Sequence, residues 1–238
     1  MPNGREVYET AYRAGWRPEP RLSVSAWADE HVVLGNRAGH AAIRFRTATT
    51  PYVREILDAL GPRSPARRVV MMSGTQLGKS QTGLNWLAFI MAHCPGPILV
   101  VRPTVDEARR FSRQRLDPLI ATTPALRELV KEARSRDGGN SLLIKEFPGG
   151  VLFLTGSNSA TGVKSMPIRW LFCDEVRNYP PGRLDMVLKR TRSFWNSRRF
   201  LISTPGTKGD AMDTAYRAGD QRVWQFECPA WIRCLASR

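Results

Sequence analysis

Residues 73–80 combine residue types that bind phosphate groups. Gly78 lets the backbone approach a phosphate closely, Lys79 brings a positive charge, and Ser80 offers a hydroxyl group to Mg²⁺. The usual pattern G-x-x-x-x-G-K-[ST] has glycine where Ser73 stands, and Gly74 follows one residue later. Its position between an apolar strand and a helix favours a phosphate-binding loop over an ordinary turn. The nucleotide-binding candidates are Ser73, Gly74, Thr75, Gln76, Leu77, Gly78, Lys79 and Ser80.

Two adjacent carboxylates, Asp174 and Glu175, follow the largely apolar residues 168–173. A strand that ends this way delivers the first carboxylate to a magnesium ion and the second to a position where it orients an attacking water. A solvated acidic turn is the alternative, and the phosphate loop about 95 residues upstream makes it the weaker one. The pair predicts phosphoryl transfer, with Lys79, Asp174 and Glu175 as catalytic candidates and Ser80 and Asp174 as metal ligands.

A third apolar run, residues 200–202, ends in the hydroxyl residues Ser203 and Thr204. Such a strand end could place the two hydroxyl groups near a γ-phosphate, where they would sense its presence. It could equally lead into a turn at the following Pro-Gly pair. The spacing alone leaves both interpretations open.

The elements that must position these residues alternate between strand and helix. Short apolar runs predict strands at residues 69–72, 98–101, 168–173 and 200–202, and helical spacing predicts helices at 23–31, 52–60, 79–91, 105–119 and 124–133. A hairpin is predicted where residues 142–147 and 151–154 flank a Pro-Gly-Gly turn. This alternation is typical of an α/β domain with a mostly parallel sheet and helices on both faces.

Charge and length limit the partners and the class of protein. The chain of 238 residues has a formal net charge of +15, and a field of this sign attracts polyanions such as nucleic acid. Its length suits one large α/β domain with small appendages. No apolar run is long enough to cross a bilayer and the first residues lack an apolar signal core, so we expect a cytoplasmic protein without membrane contact.

Several segments, in the order in which they occur, resemble the large terminase subunit of tailed bacteriophages, in particular the lambda-like GpA type. The resemblance covers roughly residues 23–229 and is more specific than any single motif. The segments that carry it are Ser-Ala-Trp-Ala-Asp-Glu-His (25–31), Thr-Pro-Tyr (50–52), Gln-Leu-Gly-Lys-Ser (76–80), Pro-Gly-Pro-Ile-Leu-Val-Val-Arg-Pro-Thr (95–104), Arg-Leu-Asp-Pro (115–118), Phe-Pro-Gly-Gly (147–150), Gly-Ser-Asn-Ser (156–159), Cys-Asp-Glu-Val (173–176) and Ile-Ser-Thr-Pro (202–205).

The resemblance implies a P-loop NTPase fold of the RecA/ASCE-like type, with ATP and Mg²⁺ as ligands. Lys79 would bind the β- and γ-phosphates, Ser80 and Asp174 would bind Mg²⁺, and Glu175 would orient the hydrolytic water. The partners that it implies are double-stranded DNA, a small terminase subunit and the portal or procapsid, and a homo-oligomeric ring is one of the assemblies that it suggests. The resemblance also implies a phage or prophage gene expressed in the cytoplasm of a bacterial host.

Two further roles follow from the same resemblance. Ser203 and Thr204 match a coupling motif that would link the γ-phosphate to movement. Tyr52 would stack on adenine, and a core aromatic residue is an equally good interpretation.

The polar residues 1–46, punctuated by glycine and proline, are predicted to form an N-terminal arm, followed by a P-loop ATPase domain (47–218) and a truncated tail (219–238). The match ends just after Cys228-Pro229, where family members continue into a nuclease domain, so endonuclease activity is not expected. Arg177 stands where the family pattern predicts an acidic residue. Two alternatives to an active motor follow: an inactive prophage fragment that retains a nucleotide- and DNA-binding fold, and a superfamily 2-like helicase ATPase.

Overall fold

The structure is a computed structural model that describes residues 3, 5, 9, 22–35, 43–130, 141–159 and 166–225. The strands in these residues are β1 (Val33–Leu34), β2 (Ile43–Arg44), β3 (Arg68–Met72), β4 (Pro97–Arg102), β5 (Ile144–Phe147), β6 (Gly150–Gly156), β7 (Trp170–Asp174) and β8 (Arg198–Ser203). The helices are α1 (Val24–His31), α2 (Tyr52–Ala59), α3 (Lys79–His93), α4 (Val105–Phe111), α5 (Asp117–Thr122), α6 (Pro124–Arg127), α7 (Arg183–Leu188) and α8 (Ala211–Arg217). Nowhere in this part of the chain is a helix both long and apolar enough to span a bilayer.

Within the described residues, the central sheet has six strands in the order β3-β8-β7-β4-β6-β5. Five of them run parallel, and β5 pairs antiparallel with β6 as the predicted hairpin. Strand β8 lies between β3 and β7, with Ser203 beside Met72 and Ile202 beside Asp174. Because parallel strands end at the same edge of a sheet, the segments that follow β3, β7 and β8 meet there. The predicted α/β fold with a mostly parallel sheet is confirmed.

Both faces of the sheet are buried, and β7 shows how its side chains alternate between them. Trp170 and Phe172 point into the larger apolar layer, which α3 covers, and Leu171 and Cys173 point into the smaller layer, which α7 and α8 cover. All four side chains are fully buried. A strand buried on both faces carries a continuous apolar run, which is why residues 168–173 were recognisable as a strand.

Helix α3 confirms the prediction for residues 79–91 and continues for two more residues. The helix predicted at residues 105–119 exists, but its middle is a π-helical turn, Ser112–Leu116, between α4 and α5. Pro118 lacks the amide hydrogen that a regular helix would use at this point, and the π turn ends two residues before it, at Leu116.

Two other predictions extend beyond the described residues. The predicted helix 124–133 is too long, because α6 ends at Arg127 and a turn follows at residues 128–130, and residues 131–133 lie outside the described part. The predicted tail, 219–238, is described only as far as residue 225.

Helix α1 packs against the core of the domain, although residues 1–46 are predicted to form an arm. Trp27 is fully buried, and its ring centroid lies 6.0 Å from that of Phe89 in α3. The carboxylate of Asp58 in α2 accepts hydrogen bonds from the amide and hydroxyl groups of Ser25, at 3.0 and 2.9 Å. The helical part of the arm therefore shares the core of the ATPase domain, and the domain boundary at residue 46 stays a prediction.

Candidate functional site

The phosphate loop joins β3 to α3 and exposes its tip, residues 74–77. Gly78 has a φ of 73°, in the left-handed region where a side chain costs energy. Its carbonyl oxygen accepts hydrogen bonds from the amide and hydroxyl groups of Thr82, at 2.9 and 3.0 Å. Gly78 therefore accepts the hydrogen bonds of the first turn of α3. The loop backbone before Gly78 is not part of the helix, and its amide groups can bind a phosphate group.

The Lys79 side chain is buried and folds back over the phosphate loop. Its Nζ donates hydrogen bonds to the carbonyl oxygens of Gly74 at 2.5 Å and Ser73 at 3.2 Å. Burial lowers the pKa of Lys79, and the negative charge of Glu175 partly opposes this shift. The ammonium group therefore lies inside the loop, within the field of the predicted water-orienting carboxylate.

Asp174 has no exposed surface, and its two carboxylate oxygens have different surroundings. Oδ2 accepts a hydrogen bond from the hydroxyl group of Ser80 at 3.2 Å and is paired with the guanidinium of Arg102. Oδ1 is buried without a hydrogen-bond partner. Because an unpaired buried carboxylate oxygen is costly, a group that binds Oδ1 is favoured at this position.

The predicted ligands Ser80 and Asp174 fit a magnesium ion. A hydroxyl and a carboxylate oxygen are the ligand types that Mg²⁺ prefers, and one buried carboxylate oxygen is unpartnered. Among the described residues, no group of three or more His, Cys, Asp or Glu side chains could hold a metal ion. Mg²⁺ commonly uses one or two protein ligands and takes the others from water and nucleotide phosphates, and a pair of ligands suits this coordination.

Arg102 is the residue of this site that sequence reasoning missed. It ends β4, the neighbour of β7, and its guanidinium reaches Asp174. Its Nη2 lies 3.7 Å from Glu107 Oε2, and its Cζ lies 5.4 Å from the centroid of the Phe111 ring. Burial lowers the pKa of Arg102, and Glu107 is the strongest of the charges that oppose this. The available signal was an arginine at the end of an apolar strand in a parallel sheet, where side chains meet those of the next strand.

Glu175 follows β7 with a φ of 54°, a left-handed conformation that is uncommon for glutamate. It leads directly into the 3₁₀ turn Val176–Asn178. The charge of Glu175 acts to raise the pKa values of both Lys79 and Arg102. Strained backbone of this kind recurs at functional turns, which agrees with the role predicted for this residue.

The loop after β8 contacts both other parts of the site. The carbonyl oxygen of Ser203 accepts a hydrogen bond from the Ser73 amide at 3.2 Å, and its hydroxyl oxygen accepts one from the Arg177 amide, also at 3.2 Å. The Arg177 guanidinium donates to Thr204 Oγ1 at 3.2 Å and to the Pro205 carbonyl at 3.0 Å. Arg177, which departs from the family pattern, therefore joins the turn after β7 to the predicted coupling residues.

Tyr52 begins α2 and lies against the phosphate loop. Its hydroxyl group donates a hydrogen bond to the Leu77 carbonyl at 3.3 Å, and its ring centroid lies 6.3 Å from that of Trp224. Tyr52 is also partly buried against the large apolar layer. Its position is compatible with both predicted roles, adenine stacking and core packing.

The structure brings the predicted site residues to one edge of the sheet. Lys79 and Ser80 open α3, and Ser80 is in direct contact with Asp174. Thr75, Gln76 and Leu77 form the exposed tip of the phosphate loop.

Comparison with known proteins gives a family and a relative. Residues 39–234 match the family described as the ATPase domain of the phage terminase large subunit gpA. The chain is similar to the large terminase subunit of Enterobacteria phage P21, with 25% identity over 165 residues. That alignment covers 69% of this chain and 25% of the P21 protein, so the chain spans about a quarter of the length of this relative.

The fold is also similar to solved terminase structures. The large terminase of bacteriophage HK97 aligns with a TM-score of 0.63 and 13% identity, over 84% of this chain and 42% of that one. The large terminase of the thermophilic bacteriophage D6E aligns with a TM-score of 0.55 and 14% identity, over 71% of this chain and 42% of that one. A structure of the D6E protein in complex with ATP-gamma-S aligns with a TM-score of 0.50 and 17% identity, over 71% of this chain and 41% of that one. Likeness at these identities establishes the fold alone.

Proposed function

This chain belongs to the ATPase-domain family of the phage terminase large subunit gpA, and on that premise we propose that it hydrolyses ATP to package double-stranded viral DNA. The observation that carries the proposal is the contact between Ser80 Oγ and Asp174 Oδ2, at 3.2 Å, beside the buried Lys79. P-loop NTPases hold Mg²⁺ and the nucleotide phosphates with these three residue types. The ATP-gamma-S complex of the D6E terminase supports ATP as the nucleotide.

Each side chain has one task in the proposed reaction. Lys79 leaves the loop carbonyls and donates hydrogen bonds to the β- and γ-phosphates. Ser80 and Asp174 hold Mg²⁺, which neutralises part of the phosphate charge when it is bound. Glu175 accepts a hydrogen bond from the attacking water and orients it toward the γ-phosphate. The tight loop and the buried strand end supply most of the catalytic effect through position and charge.

Ser203 and Thr204 are proposed to couple the γ-phosphate to movement. The supporting observation is that Arg177 donates hydrogen bonds to Thr204 and, through its amide, to Ser203. A shift in the turn after β7 would therefore be transmitted to the loop after β8. Tyr52 is proposed to stack on the adenine, because its hydroxyl group already contacts the phosphate loop.

The proposed partners are double-stranded DNA, a small terminase subunit and the portal or procapsid, with a homo-oligomeric ring as the working assembly. The net charge of +15 supports the first of these, because a basic surface attracts the DNA backbone. Family membership supports the others.

ATP turnover by the purified chain, with and without double-stranded DNA, tests the proposal. We expect DNA-stimulated hydrolysis that Lys79→Ala reduces about 100-fold or more, because a preorganised charge on the phosphates is lost. The matched control is Lys189→Ala, which removes an exposed lysine away from the loop and leaves turnover unchanged. Turnover that Lys79→Ala does not reduce would contradict the proposal.

Two alternatives are separated by companion measurements. Thermal stabilisation by Mg²⁺-ATP without any turnover would indicate an inactive fragment that still binds nucleotide. ATP-driven separation of DNA strands would indicate a superfamily 2-like helicase, whereas translocation along intact duplex supports the packaging motor.

A further inference from the structure

Arg102 and the predicted magnesium ion would meet at the same buried carboxylate. We propose that Arg102 and Mg²⁺ are alternative partners of Asp174, so that Arg102 sets the Mg²⁺ concentration at which the nucleotide site is filled. Arg102 is then a positioning residue that acts through Asp174. This inference rests on the proposed function and adds a form of regulation to the same site.

The burial of Asp174 requires a positive partner. The carboxylate has no exposed surface, and a buried charge without a counter-charge is strongly unfavourable. The Arg102 guanidinium supplies that charge from a side chain that is itself only 16% exposed. Either Arg102 or a metal ion can satisfy this requirement.

The two cations compete because of where the pairing occurs. Arg102 is paired with Oδ2, the same oxygen that accepts the hydrogen bond from Ser80 at 3.2 Å. A metal ion bound by Asp174 through either carboxylate oxygen would lie close to the Arg102 guanidinium, and two positive charges at such a short separation repel each other. Binding of Mg²⁺ therefore weakens the Arg102 pairing, and the Arg102 pairing opposes binding of Mg²⁺.

Glu107 provides a second carboxylate with which the displaced Arg102 guanidinium can pair. Glu107 Oε2 lies 3.7 Å from Arg102 Nη2, and Glu107 is fixed at the start of α4, where its amide donates a hydrogen bond to Thr104 Oγ1 at 3.2 Å. The Phe111 ring, 5.4 Å from Arg102 Cζ, gives the guanidinium a surface along which to turn. Arg102 can thus leave Asp174 without losing its own ion pair.

A Mg²⁺ titration at fixed ATP-gamma-S concentration, read by equilibrium binding of the nucleotide, tests the exchange. Arg102→Met should lower the Mg²⁺ midpoint about tenfold, because a charge-assisted hydrogen bond no longer competes for Asp174. Glu107→Gln should raise the midpoint, by about threefold, because the guanidinium loses its alternative partner. The matched control is Arg109→Met, which removes an exposed arginine of α4 and leaves the midpoint unchanged.

The double variant, Arg102→Met with Glu107→Gln, distinguishes an exchange of the guanidinium between Asp174 and Glu107 from independent effects of the two charges on the ion. If Arg102 only repels the ion and Glu107 only attracts it, the two changes add. If the two residues exchange the guanidinium, Glu107→Gln has no effect once Arg102 is Met. Additive midpoints, or an unchanged midpoint in Arg102→Met, overturn the proposal. Should Arg102→Met fail to fold, Glu107→Gln alone still tests the proposal, because an unchanged or lowered midpoint in that variant also overturns it.

The same order of variants is expected when MgCl₂ alone is titrated and the melting temperature is read. Together, the two titrations separate the proposed ATPase function from the proposed exchange of partners at Asp174. A wild-type chain that binds no ATP-gamma-S at saturating Mg²⁺ refutes the proposed function, whereas the order of Mg²⁺ midpoints reports on the exchange at Asp174. Equal midpoints in all variants refute the exchange even if ATP-gamma-S binds.

Discussion

The phosphate loop and the end of β7 lie at the same edge of the sheet but are built in different ways. The tip of the loop, residues 74–77, is exposed, and its shape depends on the backbone and on Gly78, with a φ of 73°. The end of β7 is buried, and its shape depends on the charge of Asp174, which Arg102 and Ser80 contact. The loop half of the site is therefore built mainly from backbone groups around the Lys79 side chain, and the other half is built from buried side chains.

This difference indicates where an imprecise motif is tolerated. Backbone amides bind phosphate whatever side chains they carry, so Ser73 can stand where the usual pattern has glycine. A buried carboxylate has no such freedom, because its charge must be matched by its neighbours. We therefore expect substitutions in the loop to weaken nucleotide binding with little loss of stability, and substitutions at the end of β7 to reduce both.

The largest effect is expected for Asp174→Asn. The amide keeps the shape of the side chain but removes the charge that Arg102 pairs with inside the protein, and Arg102 keeps only its longer contact with Glu107, at 3.7 Å, so the free energy of unfolding should fall by about 3 kcal/mol. ATP turnover should be lost as well. Urea unfolding measures the first quantity, and Asp185→Asn, at an exposed position in α7, is the control. Lys79→Ala should change the free energy of unfolding by less than about 1 kcal/mol. Equal destabilisation by the two variants would remove the distinction between the two regions.

A smaller effect is expected just after the phosphate loop, at Gly83, where α3 packs against β7. A Cβ atom at this position would collide with the ring of Phe172 in β7. That ring cannot move easily, because it stacks on Phe200 with 5.6 Å between the centroids. Gly83→Ala should therefore destabilise the fold by about 2 kcal/mol, although alanine is normally the better helix residue.

The combination of Gly83→Ala with Phe172→Leu checks this explanation. The smaller side chain makes room for the new methyl group, so the double variant should be more stable than the sum of the two single changes predicts. Additive unfolding free energies would show that the collision is not the cause of the loss.

The sequence predicts the elements that carry both regions, but it does not predict the side-chain contacts made at and after the end of β7. Residues 170–173 are apolar on both faces of the sheet, and the glycine and lysine at 78–79 are local signals, so the strands, the helix and their shared edge were all predictable. The contact of Arg102 with Asp174 depends on which strand lies next to β7, and no local pattern encodes strand order. The role of Arg177 was missed for the same reason, because its partners Thr204 and Pro205 are distant in sequence.

A smaller loss of stability than at Gly83 is expected at Gly78, for which Gly182 is a matched control. Both glycines have a φ of 73°, both immediately precede a helix, and a Cβ atom would meet nothing within 4 Å at either position. Gly78→Ala and Gly182→Ala should therefore lower the free energy of unfolding by a similar amount, about 1 kcal/mol, since each forces an L-residue into the left-handed region. Only Gly78→Ala should also weaken ATP-gamma-S binding, because only that backbone faces the proposed phosphates. Equal nucleotide affinities in the two variants would mean that the loop geometry at Gly78 serves the fold alone, and the proposed phosphate site would then have to rest on Lys79 and the carboxylates.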